Sequence, residues 1–169
     1  MTPRFSRILV PTDFSVHADA ALEYATRIAA ACGGSLHLAH VLEEPFVAGI
    51  WASEIYLPEM TAVRARMIAE ADQRLARCLS PSDRVQFHAH THVLTGKADD
   101  CIVAFATARE MDLIVMGTHG RTGVAHLLMG SVAERVVRTA PCPVMTVRAP
   151  IAAAEVPVPV RVRKAVPAL

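Results

Sequence analysis

Leu113-Ile114-Val115-Met116-Gly117-Thr118-His119-Gly120 opens as four consecutive apolar residues and ends on a glycine-rich loop. A short, uniformly apolar run bounded by turn residues is the pattern of a strand buried on both faces, as in parallel sheets. Ile8-Leu9-Val10 repeats it upstream and stops at Pro11. Leu36 to Val41 and Phe87 to Leu94 give two more strands, and Val144 to Val147 a short fifth.

Helical periods fill the gaps. After Ser15, a candidate N-cap, Ala18, Ala21, Leu22, Ala25, Ile28, Ala29 and Cys32 recur every three or four residues and make one stripe. Gly33-Gly34 supplies the expected stop. Residues 60–79 carry a second stripe through Met60, Val63, Met67, Ala71, Leu75 and Cys78. Ala98 to Glu110 forms a third helix, with Asp99 and Asp100 favouring its first turn, and Ser131 to Thr139 a fourth. Strict strand–helix alternation implies an α/β domain with a parallel sheet covered by helices on both faces. In such folds ligands bind beyond the carboxyl ends of the strands, where the strand order reverses. The segments after the first and fourth strands should meet there.

Composition narrows the function. The chain has 169 residues, enough for one core, and burying about 70% of the unfolded surface is typical at this size. Its net charge of +1 lacks the basic excess of a nucleic-acid footprint. Hydrophobic residues reach 53%, yet charged residues and glycine break every run well short of the ~20 residues of a membrane span. The N-terminus shows no signal-peptide pattern. Cys32, Cys78, Cys101 and Cys142 lie far apart without metal-site or disulfide-framework spacing. A cytoplasmic protein with no nucleic-acid or membrane partner is expected. Two stretches break the alternation. Residues 42–58 form a long connection holding Phe46, Trp51 and Tyr56, a lid, an interface or a packed surface flap. Residues 149–169 contain Pro150, Pro157, Pro159 and Pro167 and read as an extended tail, leaving residues 1–148 as the domain.

The chemistry concentrates in Gly117-Thr118-His119-Gly120-Arg121-Thr122-Gly123, followed by Gly130-Ser131 at a helix start. Glycines let a backbone approach an anion closely. The first-turn N–H groups and the helix dipole attract phosphate, with Ser131 expected as the N-cap. Arg121 could reach outer phosphates, although a solvated surface arginine reads nearly as well. No lysine precedes Ser131, so this is not a Walker A loop, and it is not the dinucleotide fingerprint G-x-G-x-x-G. Asp13, a carboxylate just past a buried strand, has no core role, and its alternative is a turn or capping residue before the first helix.

The spacing Gly117-x2-Gly120-x9-Gly130-Ser131 resembles the signature of the universal stress protein (UspA) family in its nucleotide-binding branch. Two further blocks carry the likeness, in the same order: Ile8-Leu9-Val10-Pro11-Thr12-Asp13-Phe14-Ser15, and Gly130-Ser131-Val132-Ala133-Glu134-Arg135-Val136 leading to Ala140-Pro141-Cys142-Pro143-Val144. The resemblance implies ATP, with Mg²⁺ an optional companion, at the switch point. It puts Asp13 at the adenine or ribose with Pro11 and Thr12 beside it, and Val41 on the base. Met116 and Gly117 border the ribose, Gly120 and Gly130 admit the phosphates, and Ser131 with the Val132 N–H binds them. His119 and Arg121 complete the nucleotide-binding set. We expect a single Rossmann-like, doubly wound sheet of five parallel strands, order 3-2-1-4-5, with four helices. The fifth strand is then an edge without internal charge or proline, and the family pairs it across a two-fold axis, which implies a homodimer through Val144–Val147.

Three functional classes follow: an ATP-binding regulatory module, a slow ATPase or nucleotidyl-transfer enzyme, and a nucleotide-free interaction protein. Between residues 117 and 131 there is no Asp, Glu or Lys, so the enzyme reading lacks a general base, although Asp13 could ligate Mg²⁺. The intact glycine motif speaks against the nucleotide-free class. His88, His90 and His92 alternate and would share one face of the third strand. Residues two apart lie about 6.5–7 Å apart, so two could chelate one ion and three could not easily do so. A polar outer face of an edge strand accounts for them without a metal.

Overall fold

The computed structural model describes residues 5–43, 57–120 and 129–149. Five strands, β1 (Arg7–Pro11), β2 (Ser35–Leu42), β3 (His90–Thr95), β4 (Leu113–Gly117) and β5 (Val144–Val147), form one sheet in the order β3-β2-β1-β4-β5. All pairings are parallel. The helices are α1 (Val16–Cys32), α2 (Leu57–Arg77), α3 (Pro81–Gln86), α4 (Ala98–Ala108) and α5 (Ser131–Thr139).

Alternation along the central strands divides the interior into two layers. Ile8 and Val10 of β1 face one way, with Ala21, Ala25 and Ala29 of α1 and Leu75 of α2. Leu9, between them, faces the other way, with Ile114, Ile102 and Ala106 of α4, and Ala133 and Val136 of α5. Ile8, Leu9, Val10, Ile114 and Val115 are fully buried. The stripe that α1 buries is all alanine, which lets its backbone lie close to the sheet. Ser15 caps α1 as expected, accepting the Ala18 N–H at 3.3 Å. Gly33 ends it in the left-handed region (φ 67°) with its N–H on the Ala29 carbonyl, a conformation that costs a residue with a Cβ about 1 kcal/mol or more.

The structure corrects the region before β3. A fifth helix, α3, occupies Pro81–Gln86, with Ser80 as N-cap and Pro81 in its first turn. Phe87 caps its C-terminus and is buried in the core from that position, so β3 starts at His90 and not at Phe87. His88 has φ 43° and lies outside the strand, so it does not share a strand face with His90 and His92. The physical reason is local. Ser80-Pro81-Ser82-Asp83 is a strong helix start whose hydroxyl accepts the Asp83 N–H, and one turn of helix wins over strand propensity. Helix α4 ends at Ala108, two residues early, because Glu110 turns left-handed (φ 49°) while the Met111 N–H closes onto the Ala106 carbonyl.

No helix among the described residues is long and apolar enough to cross a membrane. The 44–56 connection, Arg121, and the tail beyond Ala149 lie outside the described residues.

Candidate functional site

β1 and β4 are neighbours, while β2 and β5 extend the sheet in opposite directions from them, so the strand order reverses between their carboxyl ends. A cleft of about 200 Å³ opens there. It is lined by Pro11 at the end of β1 and Thr12 and Asp13 beyond it, by Val41 of β2, and by Met116 and Gly117 at the end of β4 with His119 and Gly120 beyond. Gly130, Ser131 and Val132 at the start of α5 close it. Of the residues expected at the site, only Arg121 falls outside the described chain.

The turn after β1 is fixed by its own side chains. Thr12 Oγ1 accepts the Phe14 N–H at 3.0 Å, and Asp13 Oδ1 accepts the Ser15 N–H at 3.1 Å. One oxygen of Asp13 therefore does act as a turn cap. The other faces the glycine loop: a Cβ on Gly120 would lie 2.8 Å from Asp13 Oδ2. The glycine is what lets the two loops approach this closely. At Gly117 the neighbour is α1, where a Cβ would meet His17 Cβ at 2.9 Å.

His40 was not expected at the site. It is 7% exposed, lines the cleft, and places Nδ1 2.7 Å from the Thr12 carbonyl oxygen. A carbonyl only accepts, so Nδ1 carries the proton and donates. The Phe14 ring packs against the His40 ring at 4.5 Å, and the Arg74 guanidinium lies over the same Phe14 ring, 4.0 Å from its centroid. Phe14 is left-handed (φ 63°), an unfavourable state for an aromatic residue that these contacts hold in place. The only sequence signal was position: His40 directly precedes Val41 at the strand's end. Thr118, Ile102 and Ala98 also line the cleft and were missed for the same reason.

At the phosphate end, one expectation changes. Gly130, not Ser131, is the N-cap of α5, with an extended backbone (φ −72°, ψ 154°) and its carbonyl accepting the Glu134 N–H. Its own N–H donates to the Thr118 carbonyl at 2.7 Å, tying the two ends of the loop together. Ser131 is the first helical residue. A glycine cap has no side chain, so the N-cap supplies no side-chain hydrogen bond to the first turn of α5. That leaves the positive end of the helix facing the cleft, the arrangement that favours an anion.

The wall on the α4 side is clamped electrostatically. Asp99, 7% exposed, accepts from Lys97 Nζ at 2.8 Å and Arg135 at 3.3 Å, joining α4 to α5. Burial opposes its ionisation, but the Lys97 and Arg135 hydrogen bonds outweigh this and hold the carboxyl below its usual range. Among the described residues lining the cleft, Asp13 is the single carboxylate. The described part of the site thus brings together close-approach glycines, a helix N-terminus and one carboxylate.

The model of the Universal stress protein family matches residues 4–148. The universal stress protein MJ0531 of Methanocaldococcus jannaschii is 32% identical over 151 residues, covering 86% of this chain and 84% of that protein. Among solved structures, the universal stress protein UspA from Lactobacillus plantarum superposes with a TM-score of 0.68 at 26% identity, covering 86% of this chain and 99% of the other. The universal stress protein from Archaeoglobus fulgidus, solved in complex with dAMP, gives a TM-score of 0.60 at 25% identity and covers 85% and 98%. With the family match running unbroken from β1 to β5, the chain belongs to the universal stress protein family.

Proposed function

We propose that the cleft binds an adenine nucleotide, ATP, and that the protein is a cytoplasmic nucleotide-dependent regulatory module. The observation that carries this reading is the meeting of Asp13 with Gly120 beside the N-terminus of α5, which has no side-chain cap, at the switch point. The base lies against Val41 and the ribose by Asp13, Met116 and Gly117. The phosphates run past Gly120 and Gly130 to Ser131 and the Val132 N–H, with Pro11, Thr12 and His119 lining the path and Arg121 reaching the outer phosphates. The dAMP complex of the Archaeoglobus protein supports a nucleotide of this class. Mg²⁺, when present, would meet Asp13, the one carboxylate among the described residues lining the cleft, and would take its remaining ligands from phosphate and water.

Calorimetric titration with ATP and GTP tests this. Asp13→Ala is expected to lose about 1.5–3 kcal/mol of ATP affinity, roughly tenfold to a hundredfold, and most of the preference for ATP. Unchanged affinity and unchanged preference would return Asp13 to a purely turn-capping role.

We also propose a homodimer through β5. It is the sheet edge beyond β4, four residues long, and Val144, Met145 and Thr146 are only partly buried. An edge strand offers unpaired N–H and C=O groups, and an antiparallel copy satisfies both edges at once. Taking residues 149–169 as a tail appended to the domain, light scattering should give a dimer for the full chain and for a chain lacking 150–169. A full-length monomer that dimerises only after truncation would show that the tail covers this edge.

A further inference from the structure

We propose that His37, His90 and His92 form a three-imidazole site for a borderline divalent transition ion of the zinc class, away from the nucleotide cleft. Of the three histidines expected to share a face, His88, His90 and His92, only His90 and His92 lie on β3. The sheet adds the third. In the β2–β3 register His37 sits directly opposite His90, and His92 pairs with Ala39, two residues further along β2. Residues two apart on a strand point the same way, so all three side chains stand on one face of the sheet. Phe105 of α4 packs against the His92 ring at 4.6 Å on that face.

The ring centroids lie 4.9 Å (His37–His90), 5.4 Å (His37–His92) and 6.5 Å (His90–His92) apart. Three imidazoles on a tetrahedral ion, with metal–nitrogen bonds of about 2.0–2.1 Å, put their nitrogens about 3.3 Å and their centroids about 5 Å apart. The His37 Nδ1 to His92 Nε2 distance is 3.2 Å. In the present rotamers these two nitrogens bond to each other, and no group of three His, Cys, Asp or Glu among the described residues forms a ready-made cage. The ion takes the place of this hydrogen bond: His92 carries its proton on Nδ1, which frees the Nε2 lone pair, and the rings rotate at constant backbone. Ser35 Oγ lies 3.5 Å from His37 Nε2. By accepting that N–H it selects the tautomer whose Nδ1 lone pair is available, the orienting role usual for the second nitrogen of a metal-bound histidine.

The electrostatics favour the ligating form. Burial, then the neighbouring His90, His92, Arg109 and Arg7, lower the His37 pKa to about 4, and burial likewise lowers that of His92. Both are therefore neutral at pH 7, as a ligand must be. The two guanidiniums oppose a dication, and Glu110, 3.3 Å from Arg7, offsets one of them. His90 is exposed and leaves an entry path. An all-nitrogen donor set selects zinc, nickel or copper over magnesium or calcium. His37 precedes Val41 by four positions, about 13 Å along β2, so the site does not overlap the cleft.

Titrating tag-free protein with ZnCl₂ at pH 7.5 by calorimetry should give one saturable Zn²⁺ per chain, with MgCl₂ giving no heat of binding. His37→Asn, His90→Asn and His92→Asn should each weaken Zn²⁺ at least tenfold while leaving ATP affinity unchanged. Ser35→Ala should weaken it by a smaller factor. Because His90 is exposed, its variant keeps the fold even if the other two do not. In NMR spectra, Zn²⁺ should shift the ring signals of these three histidines before those of His17, His40, His88 and His119. Absence of saturable Zn²⁺ binding, or binding that His90→Asn and His37→Asn leave unchanged, would overturn the proposal.

Discussion

Gly130→Val is expected to abolish ATP binding and leave the fold standing. Gly130 lies at φ −72°, where valine is tolerated, so the backbone itself does not demand glycine. A Cβ there would meet the Thr118 carbonyl oxygen at 3.3 Å and His119 Cα at 3.7 Å, contacts that a shift of a few tenths of an ångström relieves. The cost falls on the ligand. Gly130 caps α5 directly before Ser131 and Val132, and under the proposed function a branched side chain at this point is expected to crowd a phosphate approaching their N–H groups. Two hydrogen bonds to a charged group, at about 1.5–3 kcal/mol each, correspond to a loss of more than about a hundredfold. Calorimetry should detect no binding at ATP concentrations that saturate the parent, while the melting temperature changes by only a few degrees. Parental affinity in this variant would dismiss the first turn of α5 as the phosphate site.

Ile114→Ala should produce the largest loss of stability from a single truncation. Ile114 is fully buried in β4, paired with Leu9 of β1 and Val144 of β5, and belongs to the layer that holds Ile102 of α4 and Val136 of α5. Neighbours on both strands and both helices limit collapse into the void. Removing three buried carbons should therefore cost about 2–5 kcal/mol. In a domain of this size each kcal/mol shifts the midpoint by about 2–4 °C, so thermal unfolding should fall by roughly 5–15 °C. Since β4 ends at Gly117, nucleotide affinity should suffer less than stability as long as the domain remains folded. A shift under about 2 °C would mean that the α4–α5 layer repacks freely and does not hold the switch point rigid.

The elements legible in the sequence were those whose signal is local and repeated. Ile8-Leu9-Val10 and Leu113-Ile114-Val115-Met116 are apolar throughout because both of their faces are covered, and the structure buries them as central strands. The alanine stripe of α1, its Ser15 cap and its Gly33 stop each follow from side-chain chemistry within one helical turn. Where two local signals competed, the reading failed. Phe87 and His88 continue an alternating pattern, but Ser80-Pro81 nucleates a helix that runs to Gln86, and Phe87 reaches the core as its C-cap. Ser131 is a better capping residue than glycine, yet the Gly130 N–H is engaged by Thr118, twelve residues upstream. That bond fixes the helix start one position earlier.

The sequence by itself determined the alternation of strands and helices, the central strands, and the two loops that meet at the cleft, because hydrophobic period and turn chemistry are properties of consecutive residues. Only the tertiary structure decided what those loops meet. It brought His40 of β2 under the Thr12 carbonyl, set Asp13 against Gly120, clamped Asp99 between Lys97 and Arg135, and laid His37 opposite His90. Each of these depends on sheet register and helix docking, which sum many weak contacts between residues distant in the chain, and no local pattern encodes such a sum.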